Sequence, residues 1–148
     1  MTPVEALSAA LAPLRTHAFA YPALEVLHIT GIALLLGNLV LLELRVWGRG
    51  QALPVADLAR LTLSLTLGGF ALAAASGLLM FATQAGELIA NRAFVIKMGL
   101  LMLAGVNAAL FHARASLVKL DATARLQSAL SLLVWLAVIT CGRWIAYL

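Results

Sequence analysis

Hydrophobic positions in this chain gather into four long runs, at about residues 22–47, 58–83, 92–114 and 122–147. Each holds ~20 residues or more, enough to cross the ~30 Å hydrocarbon core of a bilayer as a helix. Between them lie short polar links: Gly48-Arg49-Gly50 with Pro54, then Gln84-Ala85-Gly86-Glu87, then Lys119-Leu120-Asp121. Links this short set each span antiparallel to the next. The pattern predicts an all-α integral membrane protein, an up-down four-helix bundle forming one transmembrane domain over residues 1–148. Asp57 and Asn91 read as the caps of spans two and three.

Ahead of the first span, Thr2-Pro3-Val4-Glu5 has the form of a helix start. Thr2 would cap, Pro3 fits the first turn, and Glu5 stands at the capping-box position. Val4, Leu7, Leu11 and Leu14 then share one face, so a short N-terminal helix lying at the membrane interface is expected, ended by Pro13. No basic stretch precedes an apolar core, so a cleaved signal peptide is not expected.

Composition agrees with the pattern. Of 148 residues 64% are hydrophobic and 11% charged, with mean hydropathy +1.03. Soluble domains carry roughly 25% charged residues. The net charge of +4 does not imply nucleic acid, because the basic residues are scattered over the span ends. Cys141 is the single cysteine, which excludes an intramolecular disulfide, a covalent c-type haem and a cysteine zinc site.

Charge at the span ends gives an orientation. Arg45, Arg49, Arg60, Arg114, Lys119 and Arg125 collect at one end, against Arg15, Arg92, Lys97 and Arg143 toward the other. The positive-inside rule puts the first group in the cytoplasm and both termini outside it. Trp47 at one end, with Tyr21, Trp144 and Tyr147 at the other, fit interfacial aromatic belts.

Few polar side chains fall inside the runs, and an ionisable group there is a functional hypothesis in its own right. His28 stands ~9 Å past Pro22 and Lys97 ~8 Å past Arg92 by the helical rise. Spans one and three run in the same direction, so these two side chains are level. Glu25, Arg143, Met80 and Cys141 arrive near the same depth. His112 lies ~20 Å deeper, too far to share an iron with His28, since two axial nitrogens stand only about 4 Å apart. His17, just before span one, could fold back over the site.

Plainer uses exist for each. Glu25 and Arg143 would pair to tie span one to span four, and Lys97 could snorkel to the interface. His112 suits an interfacial position, Glu43 and Arg45 a solvated or paired one, and Asn38 and Asn107 hydrogen bonds between helices. Gly69, Ala73 and Gly77 recur every fourth residue, a groove for a neighbouring helix or a flat ligand. A porphyrin needs a nitrogen ligand, a flat apolar slot and cations for its propionates. His28, the glycine groove, and Lys97 with Arg143 offer all three at one level.

Leu27-His28-Ile29, Ser76-Gly77-Leu78 and Phe94-Val95-Ile96-Lys97 resemble the core of the HemJ-type protoporphyrinogen oxidases over roughly residues 22–115. The resemblance implies haem b, with His28 and Lys97 as the essential residues. Asp57-Leu58-Ala59-Arg60 replaces that family's methionine- and arginine-rich entry to span two, a departure that bears on oxidase activity more than on haem. The same framework resembles the membrane domain of CopD-type copper-resistance proteins, which implies copper handling or small-solute transport as the alternative. The expectation is a haem b-binding membrane redox protein, an electron carrier or a porphyrin or quinone oxidase. His28 would be the axial ligand, with Lys97, His17 or Met80 as the second. Lys97, Arg143, Glu25 and Gly77 would line the cofactor, and a homodimer could complete the site.

Overall fold

The computed structural model describes residues 2–147. It is all-helical: α1 (Pro3–Thr16), α2 (Ala20–Val46), α3 (Val55–Ala82), α4 (Ala85–Ala90), α5 (Arg92–Ala113), α6 (Ser116–Lys119) and α7 (Ala122–Trp144). The four long helices α2, α3, α5 and α7 are each apolar and long enough to span a membrane. Only 11–22% of the most apolar stretch of each is buried inside the protein. Many of the others, including Val26, Ile29, Leu67, Leu78, Met102 and Leu133, are exposed. An apolar exterior of this extent belongs against lipid, so the chain is a multi-pass membrane protein.

Helix α2 packs most closely on α3, and α5 on α7; α2 also meets α7. Aromatic pairs bridge the wider gaps. Phe81 of α3 stacks on Phe94 of α5 with centroids 5.3 Å apart, and Phe70 of α3 meets Trp135 of α7 edge-on at 6.3 Å. Close approach of α2 and α3 comes from two glycines. A Cβ on Gly31 would stand 2.6 Å from the Ala73 nitrogen, and one on Gly69 would stand 2.7 Å from the Gly31 oxygen. The Gly69/Ala73 part of the groove is therefore filled by the α2 backbone, and Gly77 faces the His28 ring.

Local signals account for several helix ends. Thr2 and Glu5 form the capping box in both directions, Asn91 caps α5 through Phe94 N, and Asp121 caps α7 through Ala124 N. Three expectations need correction. Pro13 lies inside α1, because only one turn follows it and Pro13 O still accepts from His17 N and Thr16 Oγ1. Pro54 rather than Asp57 precedes α3, leaving Asp57 in the first turn, where a carboxylate favours the helix dipole. Residues 84–87 begin a short helix, α4, not a bare turn. Helix α1 packs on α4, α2 and α3 at one end of the bundle, with an exposed Arg15–Glu87 ion pair at 3.4 Å.

At the opposite end Arg114 organises the α5–α7 connection. Its guanidinium donates to Ser116 Oγ, Gln127 Oε1 and Asp121 Oδ2. These bonds hold Ala115 and Leu120 at φ of 53° and 47°, a conformation that costs a non-glycine residue of order 1 kcal/mol or more. The Ala124 N–H, and then Arg114, hold the Asp121 carboxyl below the usual carboxylate range. A depressed folded-state value contributes stability above the unfolded carboxyl's range and loses it as pH falls through the folded value. Asp121→Asn keeps an N-cap side chain but removes the charge. Its thermal midpoint is expected to vary less than the parent's between neutral and acid pH, and parallel curves would refute the assignment.

Candidate functional site

His28 lies two turns into α2, where α3 presents Ala73, Ser76 and Gly77. Its Nδ1 stands 2.7 Å from Ala73 O and 3.3 Å from Ser76 Oγ. A carbonyl oxygen only accepts, so Nδ1 carries the hydrogen and the neutral ring keeps its lone pair on Nε2. Nothing among the described residues hydrogen-bonds to that Nε2. Gly77 sits against the ring, with a Cβ there only 3.0 Å from Cε1. The backbone of α3 thus fixes the ring's tautomer and leaves room for it by lacking a side chain at residue 77.

Lys97 approaches from α5. Its Nζ lies beside Gly142 of α7, 3.5 Å from where a Cβ would be, and it makes no ion pair or hydrogen bond among the described residues. The structure brings Gly77 of α3 against His28, and Lys97 against Gly142 of α7. An unpaired ammonium at this position, partly buried within a span, calls for an anion or a lone-pair donor.

Other residues expected here go elsewhere. Arg143 donates to Tyr147 Oη at 2.6 Å, just past the end of α7, and lies 5.0 Å from that ring's centroid, so it has a local partner rather than Glu25. Glu25 is exposed and unpaired, and the Glu25–Arg143 bridge is not formed. His17 Nδ1 accepts from Phe19 N and Ala20 N and so caps the start of α2. Met80, one turn beyond Gly77, is half-buried, and its sulfur makes no hydrogen bond. Asn107 does join helices, donating to Gln127 O, whereas Asn38 bonds Leu34 O within α2.

One site escaped the sequence reading. Glu43 is 4% exposed, and neither carboxylate oxygen has a hydrogen-bond partner. It is buried and unpaired: Arg45 turns away to bond Leu53 O. The carboxyl lines a cavity of about 60 Å³ that His112 also lines, at the end of the bundle away from His28. His112 lines this cavity while remaining exposed at the end of α5.

A haem's needs are met in part. His28 offers a pinned imidazole with a free nitrogen, and Lys97 offers an uncommitted cation. The glycine groove is occupied and Arg143 is engaged. No family model, curated protein or solved structure matches the chain, so the site is read from its own geometry.

Proposed function

We propose that this chain holds haem b in the bilayer through His28 Nε2, as a redox protein of the bacterial inner membrane with both termini outside the cytoplasm. The observation that carries the reading is the 2.7 Å contact from His28 Nδ1 to Ala73 O. Metal-bound histidines characteristically donate their second nitrogen to a carbonyl or carboxylate, which fixes the tautomer and raises ligand basicity. Lys97 is the residue of this chain placed to neutralise a propionate, a role in which its lack of a protein partner is explained. Haem bound there supplies one-electron chemistry, and the chain's own part is to orient one imidazole, hold one cation and exclude water with apolar helices.

The partner would be a quinone, a porphyrin or another electron carrier, in keeping with the resemblance to the HemJ-type oxidases. A second copy of the chain would serve to supply a sixth ligand. Copper handling rests on the CopD resemblance alone, because no group of three or more His, Cys, Asp or Glu side chains gathers among the described residues. Absorption spectra of the purified protein, oxidised and then reduced, test the reading. A Soret band with reduced α and β bands is expected at one haem per chain or per dimer. A colourless protein that stays colourless when titrated with hemin overturns it.

A further inference from the structure

The second polar site lies where α2, α5 and α7 meet near the Trp47 end. Of the chain's six acidic residues, Glu43 is the buried one. No cation faces it. Among the residues lining its cavity His112 of α5 is the one other titratable group, and Arg45 of its own helix turns away to Leu53 O. From α7 it meets Gln127, Ser128 and Ser131, and from α3 Leu63, none of them ionisable. Arg114 reaches Gln127 but is held there by Asp121 and Ser116.

An ionised carboxylate with no partner, nine-tenths buried inside a membrane span, is too costly to persist, and such a group stays neutral by keeping its proton. The polar atoms around it are those a proton path needs. Asn107 lines the cavity and spends an amide N–H on Gln127 O, which leaves its Oδ1 free to accept. The Ser131 hydroxyl lines the same space. A cavity of about 60 Å³ has room for a few waters, since one requires roughly 10–15 Å³ on this measure. His112 lines the cavity while remaining exposed on its outer edge near the end of α5, so it links the carboxyl to the surface.

We infer that Glu43 is a proton-binding site within the membrane, loaded and unloaded through His112. The carboxyl gives its proton through a cavity water to an unprotonated His112 nitrogen, the water passing one proton on as it accepts another, which leaves a carboxylate and an imidazolium. The imidazolium then releases the proton to the aqueous phase, and reloading runs in reverse. No oxidant or reductant enters, and the inference does not depend on haem at the other end of the bundle.

Infrared difference spectroscopy of the full chain in lipid tests this. A protonated-carboxyl C=O band is expected at neutral pH, downshifted in D₂O, and absent from Glu43→Gln. That isostere should fold and melt as the parent does, because it replaces a neutral group by a neutral group. In His112→Phe the band should remain, while its exchange with D₂O slows by about a hundredfold, the lower end of what a positioned acid–base group contributes. Absence of the band at neutral pH, or its survival in Glu43→Gln, overturns the assignment. Unchanged exchange in His112→Phe overturns the route. Loss of the band on replacing choline chloride with sodium chloride at constant pH would make the occupant a metal cation and overturn the proton reading.

Discussion

Gly31→Ala and Gly69→Ala are each expected to destabilise the protein by about 1–3 kcal/mol, the usual range for overpacking a tight contact, or by more. A methyl on Gly31 would stand 2.6 Å from Ala73 N and 2.7 Å from Gly69 O, both backbone atoms that no rotamer change can move. Carbon contacts settle near 3.5–4.0 Å, so the helices must separate by roughly 1 Å. That separation also stretches the 2.7 Å contact from His28 Nδ1 to Ala73 O. Gly37→Ala, Gly99→Ala and Gly105→Ala meet nothing within 4 Å and serve as controls, expected to melt at or slightly above the parent's temperature. The double variant Gly31→Ala/Gly69→Ala should cost less than the sum of the singles, because both methyls open one contact. Thermal unfolding in detergent measures all of this. A Gly31→Ala midpoint equal to that of Gly37→Ala would show that α2 and α3 do not approach this closely.

What could be read from the sequence was local or periodic. Long apolar runs set the four spans to within about three residues, because lipid imposes length directly. Thr2 with Glu5, and Asn91, could be recognised as caps, since a cap and the N–H it serves lie within one turn. The Arg143–Tyr147 pair, four residues apart across the end of α7, is equally local. Glu43 was another matter. In sequence it stands two residues from Arg45, and only the arrival of α7 and the turn of Arg45 toward Leu53 O leave it buried and alone. The Gly69/Ala73/Gly77 stripe was visible, but not its occupant. Gly31, three residues past His28, was the available sign that α2 would fill the groove with its own backbone.

His28→Ala is expected to abolish haem binding, lowering affinity by more than the roughly 10–100-fold that loss of a residue behind a ligand costs. The ring is the one strong donor at this level whose second nitrogen is already committed, and no other imidazole is placed to replace it. His17 caps α2, and His112 lies at the far cavity. Lys97→Met should keep the Soret band but weaken hemin affinity by about tenfold or more. A hydrogen bond to a charged group contributes about 1.5–3 kcal/mol, and 1.4 kcal/mol is tenfold. Arg143→Ala should leave affinity within twofold or so of the parent, since its guanidinium already serves Tyr147. That contrast separates a site built on His28 and Lys97 from adventitious hemin lodged among apolar helices, which every variant would retain alike. Gly77→Val gives an independent check. Its side chain would displace the ring by way of Cε1, 3.0 Å from the first added carbon, and so loosen hemin without removing a ligand. Equal hemin titrations for the parent, His28→Ala and Gly77→Val would take the imidazole out of the site.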